Sequence, residues 1–493
     1  MDRNIRRLGG LFSVLLAALL VNLAWLQAFD NRRLTADPHN LRRLEEEYGI
    51  KRGSIYSSDG VLLAESLEGA GFYKFLRRYP QGALYSHVLG YDSPNLGRAG
   101  IEAQYNDYLL AKDEVLPFYQ RLVRTRREGY DLTLTLKSGV QEAAAAALGG
   151  RTGAVVAINP RTGAVLAMYS QPDFDPNRLV DLSLVETQQA VKDPATGAAS
   201  TVTVKQPACR VAMDDYAADP SSPLLNRAAQ GLYPPGSSFK PVTAIAAIEG
   251  AGIPTGKTYD CPGTMIIGGT KVRNYGDNSF GTIDMVTAMV HSVNTYFAQL
   301  AAEIGGETLV DYAERGGMNQ RPPLDLPDVA RSSMPQAWQS DLAELASEGY
   351  GQGSLLLTPL QMCLYGCAVA NGGSIMLPHL LQDARQEQNV VEKFESREWL
   401  RMMSPSTASA VLEMMIEVVE EGTGQQAAIS GYTVAGKTGT AEVQGKPDHT
   451  WFVGIAPARN PQVVVAVVVE NSGGSGGAVA APIAKKVMEA ALR

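Results

Sequence analysis

The sequence predicts an α+β body carried behind one N-terminal transmembrane helix. Three observations predict it. Residues 8–29 carry no charge. Strand-like segments lie at 131–136 and 153–168 and again at 432–470. Apolar helical stretches fill the interval, so one mixed sheet must be assembled from distant parts of the chain. At 493 residues the chain has room for about three units of ordinary domain size. Hydrophobic residues make up 45% and charged residues 19%, which excludes a wholly disordered chain. A formal net charge of −8 argues against a nucleic-acid partner, which needs a basic face. Four cysteines are too few for a disulfide scaffold.

Arg3, Arg6 and Arg7 precede the uncharged run, and Trp25 stands near its far end. As a helix, residues 8–29 would be about 33 Å long, enough to cross a bilayer. The arginines keep residues 1–7 in the cytoplasm and send the rest of the chain outside. No small-x-small cleavage site follows the run, which favours an uncleaved anchor over a signal peptide. Residues 30–47 read as a charged helical stalk, and 53–64 as strand, Asp-Gly turn, strand. Residues 131–136 alternate with period two, and 141–148 form an Ala-rich helix. Residues 153–158 and 164–168 flank a Pro- and Gly-containing turn and read as a hairpin. The stretch 180–223 is polar and without period, so it is expected as an irregular exposed insertion. Three strands are expected at 432–442, 450–455 and 462–470, and a last helix at about 478–492.

Three local patterns carry chemistry. Ser237-Ser238-Phe239-Lys240 opens a helix that continues to Ile248 and stops at Gly250. Ser237 and Lys240 are three apart and share a face. The helix is apolar nearly all round, hence buried, and burial lowers a lysine pKa toward the range where its amine accepts a serine proton. A Ser-x-x-Lys by chance is common, but this chain contains one only. Ser292-Val293-Asn294 lies in a stretch expected to be helical. Ser292 can relay a proton, and the Asn294 amide can both donate and accept. Lys437-Thr438-Gly439-Thr440 lies in a strand-like run. Lys437 supplies positive charge, the Thr438 and Thr440 hydroxyls suit a carboxylate, and Gly439 permits close backbone approach.

In this order the three patterns match the signature of penicillin-binding proteins and class A β-lactamases. The chain resembles the class B penicillin-binding proteins, membrane-anchored peptidoglycan D,D-transpeptidases. Further matching segments are Asn226-Arg227-Ala228, Gly349-Tyr350-Gly351-Gln352-Gly353, Thr358-Pro359-Leu360-Gln361 and Trp451-Phe452-Val453-Gly454. Near the N-terminus Arg52-Gly53-Ser54-Ile55 and Gly100-Ile101-Glu102 resemble the family's pedestal. The chain departs from the family at Ser57 and Ser58, where Asp and Arg are usual, and at Lys137, where an acid is usual.

The resemblance implies an α+β, serine β-lactamase-like transpeptidase domain over 131–493. It would have a central, mostly antiparallel five-stranded sheet flanked by helices, plus an all-helical part. A mixed pedestal or dimerisation-like domain would cover 30–130, the transmembrane helix 8–29 and a cytoplasmic tail 1–7. Ser237, Lys240, Ser292 and Lys437 would be catalytic, with Asn294, Thr438, Gly439 and Thr440 binding substrate. The oxyanion would be held by the backbone N–H groups of Ser237 and Thr440. Partners would be peptidoglycan stem peptides, β-lactams as inhibitors, and a polytopic membrane glycosyltransferase.

Alternatives fare less well. A class A β-lactamase lacks support because no Glu-x-x-Leu-Asn occurs. Residues 30–130 are too few for a glycosyltransferase domain, and no His-Glu-x-x-His marks a sensor protease. A D,D-carboxypeptidase would use the same acyl-enzyme, and a non-catalytic scaffold would not need Ser237, Lys240, Asn294 and Lys437. Cys363 and Cys367, four apart on an apolar helix, read as buried thiols. No metal and no organic cofactor is implied.

Overall fold

Residues Val463–Val469 are Val or Ala throughout, and all are buried. A continuous apolar run of this kind belongs at the centre of a sheet covered on both faces. In the computed structural model this strand pairs antiparallel with Lys446–Ala456 on one side and Gly153–Ile158 on the other. Ala435–Val443 and Val165–Gln171 complete a five-stranded antiparallel sheet and form its two edges. Helices Ser138–Leu148 and Gly476–Ala491 cover one face, and Pro359–Ala370 covers the other. The sheet expected from 153–168 and 432–470 is therefore present, assembled from segments about 300 residues apart, but it is antiparallel throughout and the expected strand at 131–136 belongs to a different sheet. The structure describes residues 3–25, 41–69, 71–112, 128–192, 199–335 and 341–493.

A second sheet has the order Asn389–Lys393, Leu381–Gln386, Asp131–Leu134, Ile55–Tyr56, Leu62–Glu68, Phe75–Arg78. It joins N-terminal strands to a hairpin from far along the chain. Ile55 and Tyr56 pair in parallel with Leu132 and Thr133. Behind it Glu102 is fully buried and ion-paired to Arg52 (2.6 Å) and Arg77 (2.5 Å). A buried carboxylate persists only with such partners.

Two expectations need correction. The stretch 180–223 is not irregular. Leu184–Lys192 and Ala199–Pro207 pair as a two-stranded antiparallel ribbon, and Ala208–Ala218 is a helix that buries Cys209 and Ala212. The alternation Thr201-Val202-Thr203-Val204 is the local cause of the ribbon. Ser292 is not helical: it occupies the turn between helices Met285–Val290 and Asn294–Ile304.

The N-terminal helix runs from Arg3 to Trp25, with Leu8, Leu11, Phe12, Leu15 and Leu19 exposed. Among the described residues no helix is long and apolar enough to cross a membrane. Residues 26–29 of the expected span and 30–40 of the expected stalk lie outside the described residues, and Leu41–Tyr48 is helical. Cys363 and Cys367 are buried in Pro359–Ala370, as the sequence suggests, with the Cys363 thiol 3.4 Å from the Val464 carbonyl.

Candidate active site

Ser237 sits in a single 3₁₀ turn, Gly236–Phe239, which runs directly into the helix Lys240–Ile245. Three backbone segments close on that turn. Gly236 has φ +54° and donates its N–H to the Gly351 carbonyl (2.8 Å). A Cβ on Gly236 would lie 2.4 Å from the Thr440 carbonyl, and one on Gly351, at φ +87°, only 1.9 Å from the Gly236 carbonyl. A Cβ on Gly439 would lie 2.7 Å from the Pro235 carbonyl. The Trp451 indole donates to the Pro234 carbonyl at 3.0 Å. Glycine is thus required where the serine turn meets the edge strand Ala435–Val443 and the 349–353 loop.

If Ser237 is the acylated serine that the resemblance implies, Gly351→Ala is expected to push the serine turn out of place and slow that acylation by about 10²-fold. A time course of covalent penicillin labelling measures this. An unchanged rate in a folded variant would mean that Gly351 does not set the position of Ser237.

Lys240 is fully buried. Its ammonium group reaches the Ser292 carbonyl (2.6 Å), the Ser292 hydroxyl (3.2 Å) and the Asn294 side-chain carbonyl (2.7 Å). It also lies 5.5 Å from the Phe297 ring centroid. Lys437, equally buried, donates to the Ser292 hydroxyl at 2.8 Å. Ser292 thus bridges the two lysines. It does so at φ +59°, a conformation that costs a non-glycine residue about 1–3 kcal/mol and that clusters at functional sites. Burial, and secondarily the charge of Lys437, hold the Lys240 amine well below its usual pKa. Burial alone pushes Lys437 down to about 7.

On the edge strand the side chains alternate. Lys437 points to Ser292, while Thr438 and Thr440 lie on the opposite face. The Thr438 hydroxyl is 2.7 Å from the Thr423 hydroxyl, and the Thr440 hydroxyl accepts from the Gly476 N–H at 3.3 Å. With Thr423 donating, both threonines are supplied from behind. Each then keeps its own hydrogen for an anionic group in the cleft. Asn294 turns its amide nitrogen to the Arg273 carbonyl (2.7 Å), tying it to the hairpin Thr264–Ile267/Thr270–Arg273.

The residues singled out in the sequence thus converge. Ser292, Asn294 and Lys437 surround Lys240, and Gly439 and Thr440 flank the serine turn. Among the described residues Ser237 Oγ makes no hydrogen bond in the resting site. Thr423 and Arg273 were not predicted. The Gly422-Thr423-Gly424 turn looks like an ordinary helix stop, and Arg273 enters through its backbone oxygen, which no side-chain pattern reveals.

The fold and site have counterparts among known proteins. A family model described as the penicillin binding protein transpeptidase domain matches residues 153–489, and one described as the penicillin binding protein A dimerisation domain matches 52–128. The chain belongs to the penicillin-binding protein transpeptidase family. Among penicillin-binding proteins it is 35% identical to the peptidoglycan D,D-transpeptidase PbpA of Mycolicibacterium smegmatis, over 100% of this chain and 99% of that one. Against the peptidoglycan D,D-transpeptidase MrdA of Acinetobacter baumannii it is 30% identical over 84% of this chain and 65% of that one. The solved penicillin G acyl-enzyme complex of penicillin-binding protein A from M. tuberculosis superposes with a TM-score of 0.78 at 32% identity, covering 90% of this chain and 100% of that one. The D,D-transpeptidase domain of a peptidoglycan glycosyltransferase from Eggerthella lenta gives 0.76 at 35% identity, covering 90% and 98%.

Proposed function

We propose that this penicillin-binding protein is a peptidoglycan D,D-transpeptidase that works through an acyl-enzyme on Ser237 and is acylated there by β-lactams. The observation that carries the reading is the buried Lys240–Ser292–Lys437 chain, which begins three residues from Ser237. A neutral Lys240 has two hydrogens, for the Ser292 carbonyl and Asn294. Its lone pair is then free for the Ser237 proton, while Lys437 donates to the Ser292 hydroxyl at 2.8 Å.

In the first step Ser237 Oγ bonds to the penultimate D-Ala carbonyl carbon and its proton passes to Lys240. The oxyanion faces the backbone N–H groups of Ser237 and Thr440. The C–N bond to the terminal D-Ala breaks, and the leaving amine takes a proton by way of Ser292. In the second step an amine of another stem bonds to the acyl carbon and loses its proton to the lysine. Ser237 Oγ then leaves and is reprotonated. Asn294 holds the peptide amide, Thr438 and Thr440 hold the substrate carboxylate, and Gly439 keeps the strand close to the serine turn.

The reading includes a single-pass anchor over 8–29 with residues 1–7 in the cytoplasm, a pedestal over 30–130 and a transpeptidase domain over 131–493 outside. It also includes a polytopic membrane glycosyltransferase as partner. The exposed leucines of the first helix and its leading arginines support the anchor. Fluorescent penicillin on the wild type and on Ser237→Ala tests the chemistry. Covalent label is expected on the wild type alone. A folded wild type that takes no label, or equal label on Ser237→Ala, would overturn it.

A further inference from the structure

Past Thr440 the two walls of the cleft carry opposite charges. Glu442 follows on the edge strand, with its side chain 77% exposed. Across from it, the hairpin Thr264–Ile267/Thr270–Arg273 ends on Arg273, 57% exposed. Asn294, which also binds Lys240, fixes the Arg273 backbone through its carbonyl. The guanidinium and carboxylate are 3.7 Å apart, beyond hydrogen-bond distance. An exposed pair so separated holds little, and each partner keeps hydrogen-bonding capacity toward the mouth of the cleft for a ligand that faces both of them.

We propose that Arg273 and Glu442 form a subsite for the zwitterionic end of a donor side chain, one carrying an ammonium and a carboxylate on the same carbon. The donor would then be a stem peptide whose third residue is a diamino diacid. This rests on the D,D-transpeptidase reading above. Among the described residues Ala435–Val443 has a strand partner on one side only, and its other edge is open to an extended peptide. A peptide whose terminal carboxylate lies at the Thr438 and Thr440 hydroxyls runs along that edge toward Glu442. At about 3.4 Å per residue, the third residue from its end lies about 7 Å further on, the spacing from Thr440 to Glu442. Its long side chain then reaches the mouth. There Glu442 accepts from the ammonium and Arg273 donates to the carboxylate, in the paired geometry a guanidinium favours. A lysine in the same place supplies the ammonium alone and leaves Arg273 without a partner.

Two synthetic stem pentapeptides, identical except for a diamino diacid or a lysine third, test this as competitors of fluorescent penicillin on the full chain. The diamino diacid peptide is expected to halve the labelling rate at about a tenfold lower concentration, as an added charge-assisted contact implies. Arg273→Gln should bring that ratio to about one, Arg273→Lys should retain part of it, and Glu442→Gln should weaken both peptides. Equal potency on the wild type, protection by neither peptide, or a ratio that survives Arg273→Gln would overturn the subsite. A wild type that takes no penicillin would instead remove the serine reading, and this subsite with it.

Discussion

Lys240→Ala is expected to slow acylation of Ser237 by about 10³-fold, within the range that a positioned general base contributes. The serine remains, but its proton has no acceptor, and Ser292 and Asn294 lose the amine that orients them. The pH profile identifies the cause. If Lys240 is the base proposed above, acylation requires it neutral, and burial with the neighbouring Lys437 keeps its pKa well below the usual value, so activity rises on the acid side. It requires Lys437 cationic, and burial places that group at about 7, so activity falls as pH climbs through that value. The rate constant for penicillin acylation over KM in the free enzyme should therefore be bell-shaped, with limbs that belong to the coupled pair. Lys437→Arg keeps its charge at every accessible pH, and the alkaline limb should move out of range. Rates on Lys240→Ala within about tenfold of wild type, or an alkaline limb that stays in place in Lys437→Arg, would remove these lysines from their roles. Circular dichroism on each variant separates lost chemistry from lost structure.

These two lysines also show how much was legible in advance. Ser237 with Lys240, Ser292 with Asn294, and Lys437 with Gly439 are local spacings, each readable within four residues. The five-stranded sheet was legible because its central strands are apolar runs and its first hairpin has turn chemistry at 159–163. The second sheet was legible in part: strands were expected at 53–64 and 131–136, but no local pattern joins them into one sheet, and Asn389–Lys393 is a polar edge strand held by pairing with Leu381–Gln386. The ribbon at 184–207 escaped because its alternation is carried by threonine and glutamine as much as by valine. The positive φ of Ser292 is likewise set by how two helices meet, which no propensity encodes. At Thr423 and Arg273 the informative fact is a neighbour about 15 or 21 residues away.

Glu348→Met is expected to stabilise the protein, by an amount that grows with pH. Glu348 is one of two acids on the helix Leu342–Gly349, one turn after Glu344. In the structure its side chain is fully buried, and among the described residues neither carboxyl oxygen has a hydrogen-bond partner. Burial, with a further push from Glu344, raises its pKa from 4.5 to about 8. An acid whose pKa is higher in the folded than in the unfolded state holds its proton in the fold and releases it on unfolding. Stability is therefore lost as pH rises from about 4.5 to 8, in total by about 5 kcal/mol. Lys437 acts in the opposite sense. Its folded value of about 7 lies below the ordinary 10.5, so its contribution grows above pH 7. That term is common to wild type and variant and cancels in their difference. Urea unfolding at pH 5 and pH 8 should show Glu348→Met ahead by several kcal/mol more at the higher pH. A difference that does not change with pH would mean that the carboxyl is solvated or paired. The position also bears on the chemistry, because the Glu348 carbonyl accepts from the Gly351 N–H at 2.9 Å, and the Gly351 carbonyl holds Gly236 beside the serine. An unsatisfied acid here costs stability next to the reacting residue, a trade that proteins make at sites selected for activity.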